Sequence, residues 1–364
     1  ISLYISSLID EDKYVSLSKN SNRSSFALCF AIHTLYLIKD KEILKANKSM
    51  WINLLKKNLI NTSKIGTQSK SFRQLLSLTI SSLIILGEPK CKTVYNYIKS
   101  SIPENISLYL KGIGTHLGHP GSGNMSMFIM IFCIYLQKYY KENFNKQISS
   151  WVKFHIHYIN KFGFWGDSKK FKYSFFQNGY HQYEIFNYLK TDNLPILEIK
   201  KNILKIQDEY GHFSSIPGGT GCHDYDAVYF LTYVCNNEDN NEKIVNALSK
   251  IRKRIINIQH SNGGFSESLY VRPLNFKNLH KQLKHINFNN RVGRNERLLR
   301  FIANLRPKNS NIKNHWSEYK RGWDETNIFN TWFKVLTLAK IEKYLDNNKD
   351  WAFLDFPGIG FSNE

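Results

Sequence analysis

Cysteine is sparse and poorly placed for cross-linking. There are five, Cys29, Cys91, Cys133, Cys222 and Cys235, odd in number and without a C-x-x-C pair. That argues against a disulfide framework or a structural zinc site of ordinary spacing, and it suits a reducing compartment. Acidic residues are also scarce: 29 Asp and Glu against 50 Lys and Arg leave a net charge of +21. Such an excess turns attention to anionic partners. Long apolar runs are lacking. Met125–Leu136 and Leu75–Gly87 are the longest, and both fall short of the roughly 20 residues that a bilayer helix needs. The opening ISLYISSLIDEDK has neither a basic leader nor a cleavage site, and whether the N-terminus is complete stays open. A soluble, cytoplasmic protein is expected, with room for peripheral membrane contact. Alternating strand patterns are few, so β architectures are set aside.

What is present is enough for a large core: 364 residues, of which 42% are hydrophobic and 14% aromatic. Apolar positions recur with helical spacing over Ser25–Leu37, Lys70–Leu86, Ile148–Ile159 and Phe329–Leu345. The expected fold class is all-α.

A repeat organises these helices. Glycine-and-aromatic loops stand at Gly114, Gly163, Gly211 and Gly263, separated by 49, 48 and 52 residues. Two share the phrase Q-x-x-x-G-x-F-S, at Gln207–Ser214 and Gln259–Ser266. Helix, glycine-aromatic loop, helix at a fixed period of this length predicts stacked helical hairpins. Gln207 and Gln259 are expected in equivalent places, bridging backbone groups at helix ends. Residues 1–110 are expected to supply less regular hairpins, and 111–364 the repeat-bearing part.

This phrase resembles the repeat of the terpenoid cyclase and protein prenyltransferase superfamily. The resemblance is best over residues 148–270 and implies an α/α toroid, a ring of inner helices wrapped by outer ones. It implies fold, not activity.

Superposing the glycines expected to open the inner helices, Gly123, Gly179, Gly221 and Gly322, aligns three polar pairs: His181/Glu184, His223/Asp226 and Asp324/Asn327. The i, i+3 spacing puts both members of a pair on one helix face. Helix capping explains one such residue per helix, not two or three. We therefore expect a polar cluster at one mouth of a central cavity. Asp226 is the leading acid, with Asp224 and His223 as catalytic partners. His181, Glu184, Tyr225, Asp324, Glu325 and Asn327 form the surrounding substrate-binding wall. Carboxyls brought together in an apolar cavity repel, so one of them, Asp226, should titrate high.

The Asp224-Tyr225-Asp226 run resembles the acidic proton donor of class II terpenoid cyclases, although Ala227 stands where those enzymes carry another Asp. The prenyltransferase zinc set is not matched: Val228 and Asn330 occupy the Cys and His positions. The cofactor therefore stays unassigned, and a different metal on His181, His223, Asp226 and Asp324 is an alternative. Carbohydrate lyases and hydrolases also use α/α toroids, and paired carboxylates with His would serve them equally. A non-catalytic binding scaffold is the third reading.

One segment breaks the pattern. Arg272–Arg321 holds 13 Lys or Arg against Glu296 and Glu318, a charge of +11 in 50 residues. It is expected to be a cationic lid, with a helix over Asn295–Leu305 and with Arg297, Arg300 and Arg321 contacting an anionic small molecule or oligosaccharide. Nucleic acid is disfavoured, because no reading motif accompanies the charge.

Overall fold

The computed structural model describes residues 1–64, 66–169, 171–216, 218–219, 221–233, 242–267, 279–284, 286, 292–305, 311–314, 317–320 and 324–358. The protein is all-helical apart from one small hairpin. In chain order the helices are α1 (Ser2–Ser6), α2 (Ser25–Leu37), α3 (Lys41–Ser63), α4 (Lys70–Ile85), α5 (Lys92–Ser101), α6 (Ile106–Gly112), α7 (Ser122–Tyr140) and α8 (Asn145–Tyr158). They continue with α9 (Tyr173–Tyr188), α10 (Ile196–Leu204), α11 (Gly221–Thr232), α12 (Glu242–Asn257), α13 (Leu279–Lys284), α14 (Arg294–Leu305) and α15 (Ile328–Asp346). The hairpin pairs β1 (Asn311–Asn314) antiparallel with β2 (Ser317–Lys320). No described helix is long and apolar enough to cross a membrane.

Local chemistry starts several helices where the sequence says it should. Ser24, Asp40 and Ser69 accept hydrogen bonds from Ala27, Ile43 and Phe72 backbone N–H groups at the starts of α2, α3 and α4. Each such cap stabilises by about 1 kcal/mol.

Burial sorts the helices into two sets that alternate along the chain. α2 buries eleven of its 13 residues, whereas α3 buries five of 23. A helix that is apolar all round must be surrounded; one with a narrow apolar stripe lies outside. The surrounded helices touch in a closed circuit: α2 packs on α4, α4 on α7, α7 on α9, α9 on α11, α11 on α15, and α15 back on α2. The stripe-faced helices α3, α8, α10 and α12 each lean on members of that circuit.

Glycine permits two of these contacts. A Cβ on Gly123 of α7 would lie 1.9 Å from the Asn178 carbonyl oxygen of α9, and one on Gly221 would lie 2.9 Å from Phe333 Cβ of α15. The Gly123 N–H donates to Asn178 Oδ1 at 2.8 Å across the first contact. Gly221 is the first residue of α11 and Gly123 the second of α7, so both stand at helix starts and also let a neighbouring helix approach closely. Gly179 does not open a helix: α9 begins at Tyr173, so Gly179 lies inside it, against the Phe164 ring.

Three loops share one hydrogen-bond pattern. Asn160 N donates to Phe164 O, Asp208 N to His212 O and His260 N to Gly264 O, while the N–H groups of Gly163, Gly211 and Gly263 return to Asn160, Asp208 and His260. The three glycines have φ of +84°, +98° and +85°, the region glycine enters without penalty. Gln207 Nε2 donates to Gly211 O at 3.0 Å and Gln259 Nε2 to Gly263 O at 2.9 Å. The two glutamines thus occupy equivalent places, as the shared phrase predicts. Trp165, Phe213 and Phe265, which follow the loops, are buried.

Candidate functional site

The circuit of buried helices surrounds a cavity of about 270 Å³. Its wall has a regular origin. Gln74, Ser77 and Leu78 line it from α4, and Asn124, Met127 and Phe128 from α7. Cys222, Tyr225 and Asp226 line it from α11, and Phe329, Trp332 and Phe333 from α15. Each set has the spacing i, i+3, i+4, which is one face of a helix. Lys70, Gln177, Tyr180, His181 and His223 complete the polar part, and Phe30 and Leu336 extend the apolar part.

The α11 carboxylates separate sharply. Asp224 points away from the cavity. Its Oδ2 lies 2.8 Å from His212 Nδ1, and its Oδ1 accepts from Phe213 N at 2.7 Å. Arg254 Nε donates to His212 Nε2 at 3.4 Å, so a neutral His212 carries its proton on Nδ1 and gives it to Asp224. Burial opposes the charge of Asp224, but the His212 contact, Lys334 and the Phe213 N–H outweigh it and hold the carboxyl below its usual range. Asp224 ties α11 to the Gly211 loop; it is a structural carboxylate and not a catalytic partner in the cavity.

Asp226 lines the cavity and is 4% exposed. Unlike Asp224, it has no hydrogen-bond partner among the described residues. Burial, then Glu184 and then Asp224, push its pKa well above the ordinary carboxyl value. That direction favours the protonated form of the carboxyl.

The other predicted residues divide. Glu184 is fully buried beside Asp226 and accepts from the Tyr180 hydroxyl at 2.8 Å and from Gly358 N at 2.9 Å. Tyr225 is fully buried and lines the cavity beside Tyr180, whose ring meets it edge to face at 5.4 Å. His181 lines the cavity with Nδ1 buried and unpartnered; burial, then Lys70, lower its pKa to about 3. His223 Nδ1 lies 3.1 Å from Ser214 Oγ, and burial lowers its pKa to about 4. Both rings are neutral near pH 7.

The last aligned pair does not join them. α15 starts at Ile328, and Asn327 is its N-cap, its Oδ1 accepting from Asn330 N at 2.9 Å. Asp324 is exposed in the turn before the helix, and Glu325 is half-buried beside it. Cavity spacing matches Cys222/Tyr225/Asp226 with Phe329/Trp332/Phe333, so Ile328, not Gly322, corresponds to Gly221. Capping was the right explanation for Asn327 alone.

The lid expectation also changes. The predicted helix exists as α14, but Arg297 is 1% exposed. Its guanidinium donates to the Ser214, Ile206 and His212 carbonyl oxygens at 3.2, 2.7 and 3.2 Å, beneath the Tyr173 ring. Arg297 therefore fastens α14 to the Gly211 loop and cannot reach a ligand. Arg300 is exposed and close enough to His223 to help lower its pKa. Arg321, with Arg272 and Gly322, lies outside the described residues.

Sequence reasoning missed Lys70, Gln177 and Cys222. The signal for Gln177 was its i, i+4 relation to His181; Lys70 lies where the repeat is not visible. No group of three or more His, Cys, Asp or Glu side chains able to hold a metal occurs among the described residues. No family model, curated protein or solved structure matches the chain.

Proposed function

We propose that the protein is an α/α-toroid enzyme that protonates a partly apolar, isoprenoid-like substrate in its central cavity, with Asp226 as the acid. One observation carries the reading: a carboxyl whose pKa burial raises, without a hydrogen-bond partner among the described residues, facing a cavity walled by Phe30, Phe128, Tyr225, Trp332 and Phe333. Such a carboxyl still holds a proton to donate at a pH where a solvated carboxyl has lost it, and aromatic faces stabilise the carbocation that protonation of an alkene creates. The alternation of surrounded and outer helices, their closed circuit and the matched loops support the toroid reading and its repeat.

A glycosidase-type reading needs two carboxyl groups facing one substrate. Among the described residues that line the cavity, Asp226 is the sole carboxyl, so this reading is the weaker one.

The test uses geranyl and farnesyl derivatives in deuterated water, with products read by mass spectrometry. Acid initiation puts one solvent deuterium into each product, and Asp226→Asn should abolish it. Products without solvent deuterium, or unchanged turnover in that variant, would sink the proposal.

A further inference from the structure

The polar end of the cavity contains groups that Asp226 does not use. Lys70, in the first turn of α4, lines the cavity and has no ion-pair partner among the described residues. Its ammonium lies over the start of α7: a Cβ built on Gly121, the N-cap of that helix, would be 3.2 Å from Lys70 Nζ. Helix starts carry partial positive charge, so two like-signed features meet. Burial lowers the pKa of Lys70, and Lys70 in turn helps lower that of His181.

Two further groups converge here. Gln177 and His181, one turn apart on α9, both line the cavity, and Gln177 Nε2 and His181 Nδ1 are buried without partners. Unpaired buried polar atoms are costly and rare in native proteins. An ammonium, an amide N–H₂ and an imidazole thus line one cavity together with Phe30, Trp332 and Leu336, and they form a set of donors without acceptors among the described residues.

We infer that Lys70, Gln177 and His181 form an anchor for a monoanionic carboxylate whose apolar body extends toward Phe30, Trp332 and Leu336. One ammonium balances one negative charge, and the neutral Gln177 and His181 can each donate to an oxygen of a planar carboxylate. This deepens the proposed function and shares its cavity, but it does not depend on proton transfer by Asp226. It also moves the anionic recognition expected of Arg297 to the opposite half of the sequence.

Binding, not turnover, is therefore the readout. Isothermal titration of the full chain with octanoate, octanol and octyl phosphate compares three head groups on one tail. Octanoate should bind roughly ten- to a hundred-fold more tightly than octanol. Lys70→Met should erase that preference while melting at a temperature close to the parent. Gln177→Leu should weaken octanoate by roughly two- to ten-fold. Asp226→Asn should leave octanoate binding intact, which separates failure of the anchor from failure of the acid. Equal binding of octanoate and octanol, no binding of octanoate, or an unaltered preference in Lys70→Met overturns the anchor. Tighter binding of octyl phosphate overturns the carboxylate assignment.

Discussion

Asp224 and Asp226 are two residues apart on one helix and both buried, yet their surroundings push their pKa values in opposite directions. Asp224 faces the Gly211 loop, where His212 and the Phe213 N–H meet both its oxygens. Asp226 faces the cavity, where no described residue hydrogen-bonds its oxygens and Glu184 adds negative charge. Burial alone therefore does not determine ionisation; hydrogen-bond supply does. A helix turns about 100° per residue, so two steps rotate a side chain from the Gly211 loop to the cavity.

The largest effect that would sharpen this contrast is on turnover. Asp226→Asn should cut product formation by about 10²–10⁴-fold, the usual range for loss of a general acid, measured with the deuterium assay. Stability should move the other way. A raised native pKa makes Asp226 favour folding below its unfolded pKa near 3.8, and that contribution is lost as pH rises through the native value. Asp226→Asn should therefore be as stable as the parent in acid and relatively more stable as pH rises, by thermal melts across pH.

Asp224→Ala should do the reverse and cost stability by about 3–5 kcal/mol in urea unfolding, because buried His212 and Phe213 donors lose their acceptor. A loss near zero would put Asp224 in the same class as Asp226 and break the contrast.

Acid is a gentler probe. His33 and His155 have pKa values lowered to about 3 by burial. Their contribution is present above the unfolded value near 6.5 and is lost as pH falls toward 3, so stability should decline through that window. Substituting His155 with Gln should flatten the decline. The Asp226 contribution changes with opposite sign from near pH 3.8 upward and overlaps this window, so the two are separated by variant.

The smallest expected effects compare the two glutamines. Gln207 also donates to Ala247 O at 2.8 Å and supports the loop that presents His212, whereas Gln259 makes a single exposed bond. Gln207→Ala should cost about 1–2 kcal/mol and Gln259→Ala about 0.5 kcal/mol or less, by urea unfolding. Equal costs would mean that the Gly211 loop has no special role in holding Asp224.

What could be read in the sequence was local. Periodicity predicts Ser25–Leu37 as α2, and the predicted Lys70–Leu86 helix ends one residue beyond α4. The Q-x-x-x-G phrase predicts a loop closed by its own glutamine. Asp226 was identifiable because its neighbours in sequence, Asp224 and the matching Glu184, are also acids. The rest depended on which helices meet. His212 follows a loop glycine and carries no local sign that it faces Asp224. Lys70 looks like any helix-start lysine until α4 lies beside α7. Arg297 read as surface charge because a guanidinium serving three backbone carbonyls has no signature in composition. Gly322 misaligned the final unit because a long basic segment intervenes before α15.

The packing of α15 on α2 also sets a schedule. Phe30 and Phe329 stack edge to face with centroids 5.5 Å apart, although 299 positions separate them in the chain. At synthesis rates of roughly 5–20 residues per second, Phe30 leaves the ribosome about 15–60 s before its partner exists. Throughout that interval the apolar side of α2 that α15 covers is open to other chains. Folding during translation therefore carries its greatest aggregation hazard at the first helix of the circuit, and a chaperone that holds α2 should raise the yield more than one acting on α15.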